Sequence, residues 1–84
     1  MRTIYKCENN AMNYVVMTEN VVNKYCVVCW DCSEEEINKQ IYIITTGFNE
    51  KDFDGEDWKD GDILTAMKEE GFTGFEEIAW SSGK

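Results

Sequence analysis

The 84 residues predict a single α+β domain, an antiparallel sheet of four to five strands with one helix of the C-terminal half packed on one face. Three observations carry that reading. β-branched and aromatic residues cluster in short runs through the first half, Asn-rich breaks separate the runs, and the stretch after Asp62 has helical spacing with a cap and a glycine stop. A hydrophobic fraction of 43% is ordinary for a globular domain and too high for a disordered acidic tail. A domain of this size buries only about 60–65% of its unfolded surface, so the core is expected to be thin.

Residues 3–7, 12–18, 25–32 and 37–46 are the four predicted strands. Glu8-Asn9-Asn10, Asn20 and Asn23-Lys24 supply the turns, because Asn tolerates positive φ better than other residues bearing a Cβ. Such short connections imply antiparallel neighbours. In the third run Cys26, Val28, Trp30 and Cys32 alternate with Tyr25, Val27, Cys29 and Asp31, so both faces are apolar and the strand is expected to be central. Ser33-Glu34-Glu35-Glu36 has capping-box spacing, but the Ile- and Thr-rich alternation that follows reads as a strand, with the acidic cluster as a turn leading into it. Residues 48–62 are acidic and punctuated by Gly55 and Gly61, which marks a loop. Asp60 or Asp62 then caps a helix over 62–70. Ile63, Leu64, Ala66 and Met67 form its apolar stripe, and Gly71 is its left-handed stop. Residues 75–80 close the chain as a fifth strand.

Four cysteines, Cys7, Cys26, Cys29 and Cys32, have the ligand count of a closed tetrahedral zinc site, and a cysteine-ligated zinc-binding interaction module is the alternative reading. Val27-Val28 prefers an extended backbone, on which Cys26 and Cys29 point to opposite faces and cannot share an ion. The cysteines are therefore read as small buried hydrophobes, as thiols before disulfides, and no cofactor is expected. Glu50, Asp52, Asp54, Gly55 and Glu56 match the opening of a calcium loop. The match fails further on, where Gly61 occupies the place of the bidentate glutamate, and no helix is predicted ahead of it.

No histidine is present, so triads, imidazole proton shuttles and the commonest metal ligand are excluded. Gly71-Phe72-Thr73-Gly74 lacks the lysine of a phosphate-binding loop. The chain is not expected to be an enzyme. No apolar run approaches the ~18 residues of a membrane span, and a cytoplasmic protein without membrane partners is expected.

Fifteen of the seventeen carboxylates lie in residues 31–84, against five lysines there, and the net charge is −9. Such a chain repels nucleic acid and attracts basic protein surfaces. Glu50, Asp52, Asp54 and Glu56 alternate, which on an extended backbone places them about 6.6 Å apart on one side. Asp57 and Asp60 extend the series, and Glu69, Glu70, Glu76 and Glu77 are expected to enlarge the field around the helix and last strand. Phe48, Phe53 and Trp58 are its candidate aromatic anchors. Duplex DNA carries one negative charge per ~1.7 Å of axis, and a folded acidic surface can occupy the basic groove that holds it. The expected partner is the basic surface of a nucleic-acid-binding protein. In type the chain is similar to the small acidic proteins, anti-restriction and anti-CRISPR among them, with which phages and other mobile elements block host nucleases.

Overall fold

The computed structural model describes residues 2–46 and 58–81. β1 (Arg2–Asn9) and β2 (Met12–Glu19) form a hairpin in register from Arg2 opposite Glu19 to Asn9 opposite Met12. Asn10 and Ala11 between them have φ of 52° and 64°. Positive φ at both central positions is the type I′ geometry, whose twist suits the strands it joins. β3 (Lys24–Cys29) returns along β2, with Asn23 at φ 54° ahead of it. The two-residue β4 (Lys59–Asp60) pairs with the start of β3, and β5 (Thr73–Ser81) pairs with β1. Every pairing is antiparallel, and the sheet order is β4-β3-β2-β1-β5.

The α+β class stands, with four differences in detail. The predicted fourth strand, residues 37–46, is instead the helix α1 (Glu34–Thr46). Ile37 and Ile44 are buried and Ile41 packs beside them, which is helical spacing on one face, while Tyr42 stands 68% exposed. The capping box is closed from both sides: Glu36 N donates to Ser33 Oγ at 3.2 Å, and Ser33 N donates to Glu36 Oε1 at 3.1 Å. Thr45 and Thr46 turn their hydroxyls onto the carbonyls of Ile41 and Tyr42, an outlet that makes β-branched polar residues tolerable in a helix. β-propensity lost to tertiary burial of one isoleucine face.

The second difference is the layering. α1 covers one face of the sheet, with Ile4, Val15, Met17, Cys26 and Ala79 beneath it. α2 (Ile63–Glu69) covers the other, where Ile63 and Met67 pack with Cys7, Tyr14, Val16 and Tyr25. The helix predicted over 62–70 is this α2. Ala66 N donates to the Asp62 carbonyl at 2.9 Å at its start. At its end Phe72 N reaches Met67 O and Gly71 N reaches Lys68 O, the paired bonds of a Schellman stop, with Gly71 at φ 97°.

Third, the middle strand is β2, whose residues Tyr14 to Thr18 are all buried, and β3 lies next to the short edge strand. Fourth, β3 ends at Cys29 and not at residue 32, and it carries a bulge. Val15 faces Cys29 but Val16 faces Val27, so Val28 is an extra residue. That insertion flips the alternation after Val27 and brings Cys29 onto the face of Cys26, overturning the expectation that the two point apart.

Candidate functional site

Of the residues predicted to form the acidic contact surface, Phe48, Glu50, Asp52, Phe53, Asp54, Glu56 and Asp57 lie outside the described residues. Asp60 is exposed on the edge strand β4, opposite Lys24 in the ladder, with Lys24 Nζ 3.8 Å from its Oδ1. Trp58 is half-buried against the α1-side core, and the Arg2 guanidinium lies 4.9 Å from the centroid of its ring.

The remaining carboxylates do not gather into one field. Glu76 and Glu77 sit on β5, at the opposite edge from Asp60, and four strand spacings separate those edges by roughly 19 Å. Glu77 lies opposite Tyr5 in the ladder. Burial first, and then the charges of Glu77 and Asp62, raise the pKa of that tyrosine hydroxyl. A further acidic group stands where β3 passes into α1: Asp31, Glu34, Glu35 and Glu36 are all exposed there, beside Trp30, which is 67% exposed.

That junction is built locally. Asp31 adopts φ 48°, a left-handed step that Asp tolerates, and so turns the chain from strand to helix. Cys32 N donates to Asn13 O at 2.7 Å, which holds the turn against β2. Trp30 meets Tyr14 edge-to-face with ring centroids 5.8 Å apart, and Tyr14 in turn meets Phe72 at 4.9 Å. The Ser33 backbone hydrogen bond, followed by that of its side chain, lowers the pKa of the Glu36 carboxyl. Its other oxygen lies 4.0 Å from Cys29 Sγ.

The cysteines divide between the faces. Cys7 belongs to the α2-side core, while Cys26, Cys29 and Cys32 belong to the α1-side core. The sheet stands between them, so Cys7 does not share a site with the other three. Among the described residues no group of three or more candidate ligands could hold a metal ion. Cys29 and Cys32 are joined as a disulfide, against the expectation of thiols, with Cα atoms 5.9 Å apart. Cys7 and Cys26 are buried as expected of small hydrophobes, and burial, with a smaller contribution from Glu8, pushes the Cys7 thiol up to about 11. The calcium-loop reading had no helix ahead of it, and α1 is in fact such a helix; the mismatch at Gly61 stands.

Sequence reasoning passed over the β3–α1 junction as a site. Its signal was present in Cys29-Trp30-Asp31-Cys32 followed directly by the capping box, a cysteine pair set between a strand end and a helix start. Comparison with known proteins finds no similarity to this chain, whether to a protein family, a curated protein or a solved structure.

Proposed function

We propose that this chain is a small acidic, non-catalytic binding protein that occupies the basic groove of a nucleic-acid-handling enzyme, acting as a nucleic-acid mimic of the anti-restriction or anti-CRISPR type. The observation that supports this reading is the exposed acidic group at the β3–α1 junction. Every described Asp and Glu except Glu19 is exposed, and the group at the β3–α1 junction flanks an exposed tryptophan. Anionic groups fixed on a rigid turn accelerate encounter with a cationic surface, and an aromatic side chain among them supplies desolvated contact area. Glu50, Asp52, Asp54, Glu56 and Asp57 add charge to the same chain with no lysine but Lys51 among them.

Displacement of duplex DNA from purified effectors, a Cas9-type nuclease and a multisubunit restriction enzyme, tests the reading. Displacement at low salt that weakens steeply with added salt is the expected result. Reversing Asp52, Asp54 and Glu56 to lysine, or Glu34 and Glu35 to lysine, should weaken it about tenfold or more while the fold persists. Failure to displace DNA from either effector, or displacement indifferent to both reversals, overturns it.

A further inference from the structure

A disulfide that serves as a staple joins parts of a chain that would otherwise separate. The Cys29–Cys32 bridge closes a loop of only two intervening residues, and both ends are already held without it. Cys29 is laddered opposite Val15, and Cys32 donates its amide to Asn13, both in β2. Opening so short a loop releases little chain entropy, so the bridge adds little to what the backbone hydrogen bonds secure.

What surrounds the bridge is asymmetric. Cys32 stands immediately before the Ser33 cap, at the positive end of the 13-residue helix α1, where a thiolate is favoured. Cys29 faces the Glu36 carboxylate at 4.0 Å, which disfavours a thiolate there. Cys29 and Cys32 are 8% and 4% exposed, whereas Cys7 and Cys26 are sealed at 1%. Around all this stand Asp31, Glu34 and Glu35, exposed and of one sign.

From this geometry we infer that Cys29 and Cys32 form a reversible dithiol–disulfide site that exchanges with cationic thiols and disulfides in preference to anionic ones. An incoming thiolate attacks Cys29 Sγ; the new bond forms as the Cys29–Cys32 bond breaks, and the electron pair leaves on Cys32 Sγ at the helix end. A second substrate thiolate then attacks the substrate sulfur of the mixed disulfide and releases the Cys29 thiolate; Cys29 and Cys32 each take up one of the two protons that the substrate thiols gave to water. Two substrate thiols become one substrate disulfide, and the protein gains two electrons and two protons. Oxidation by a substrate disulfide is the reverse. The acidic collar draws a cationic substrate in and repels an anionic one. The collar is the same acidic group invoked for groove binding, but the exchange chemistry at the two sulfurs does not require that binding and is tested apart from it.

The test uses the full chain, reduced under native conditions with dithiothreitol and trapped with iodoacetamide for mass measurement. Two adducts are expected, on Cys29 and Cys32, with Cys7 and Cys26 labelled only after denaturation and the far-ultraviolet circular dichroism unchanged by reduction. Reoxidation by cationic cystamine should outpace that by anionic glutathione disulfide about tenfold or more at low salt, the gap closing at high salt and narrowing in Glu34→Gln/Glu35→Gln. Reduction that requires denaturant, or that unfolds the protein, shows a structural cross-link and overturns the proposal. Equal rates with the two oxidants at low salt overturn the charge selection. Cys7→Ser/Cys26→Ser, which leaves only the pair, should retain the exchange, and its loss there in a folded variant also counts against the assignment.

Discussion

Arg2 Nε donates to Glu19 Oε2 at 2.7 Å, joining the first residue of β1 to the last residue of β2 where the two face each other in the ladder. The same guanidinium lies over the Trp58 ring at 4.9 Å, so one cation closes the central hairpin and holds the residue that leads into β4. Both partners are largely buried, with side-chain exposures of 11% and 17%, which shields the pair from salt.

Glu19→Gln should destabilise the fold by about 1.5–3 kcal/mol, the usual contribution of a hydrogen bond to a charged group, because the acceptor facing the Arg2 guanidinium loses its charge. Urea unfolding measures it. A change below about 0.5 kcal/mol would place the pair with exposed ion pairs of little consequence.

Acid should act through the same residue. Burial pushes the Glu19 carboxyl up, but the hydrogen bonds from Arg2 and the Val21 amide and the Arg2 charge outweigh it, and its pKa is lowered. A folded pKa below the unfolded one gives stability that is present above the unfolded value, about 4.3, and is lost as pH falls through the folded value. Stability plotted against pH should drop below about pH 4.3, and the drop should be shallower in Glu19→Gln.

At the alkaline end Cys7 governs. Its thiol is raised to about 11, so it stays neutral in the folded chain while the unfolded chain ionises from its ordinary range. Stability should therefore fall as pH rises above about 8.5, by up to about 1.4 kcal/mol per pH unit until the folded thiol also titrates. In Cys7→Ala that component of the slope should vanish; an unchanged slope would assign it elsewhere.

Ser33→Ala removes one half of a reciprocated cap and should cost about 0.5–2 kcal/mol, with fraying of the first turn of α1 visible as faster amide exchange at Glu36. Exchange unaltered there would mean that tertiary packing alone holds that end.

Ala11 sits at φ 64° in the turn between β1 and β2. Ala11→Gly relieves a Cβ clash worth about 1–2 kcal/mol and adds unfolded-state entropy worth about 0.4–1, so a small gain in melting temperature is expected. A loss would show that the alanine methyl makes a contact that outweighs the relief.

The elements legible in the sequence are those whose causes are local. Asn10 and Asn23 mark turns because their own side chains permit positive φ, and Asp62 and Gly71 bound α2 by chemistry within a few residues of each. The anionic character of the candidate surface is equally plain in composition. Its location is not: Asp60 and Glu77 both belong to the acidic C-terminal half, yet the path through α2 carries them to opposite edges of the sheet.

Residues 37–46 and 26–32 show where local reading stops. An isoleucine-rich run suits a strand or a helix about equally well, and α1 formed because Ile37, Ile41 and Ile44 bury together against the sheet. Cys29 turned onto the face of Cys26 because one residue bulged in register with β2. Charge, turns and helix ends were therefore settled by amino-acid identity, since capping, turn geometry and charge act at short range. The face of each cysteine, the identity of the 34–46 segment and the covering of both sheet faces were settled by packing, since burial rewards a segment only through surfaces that distant residues provide.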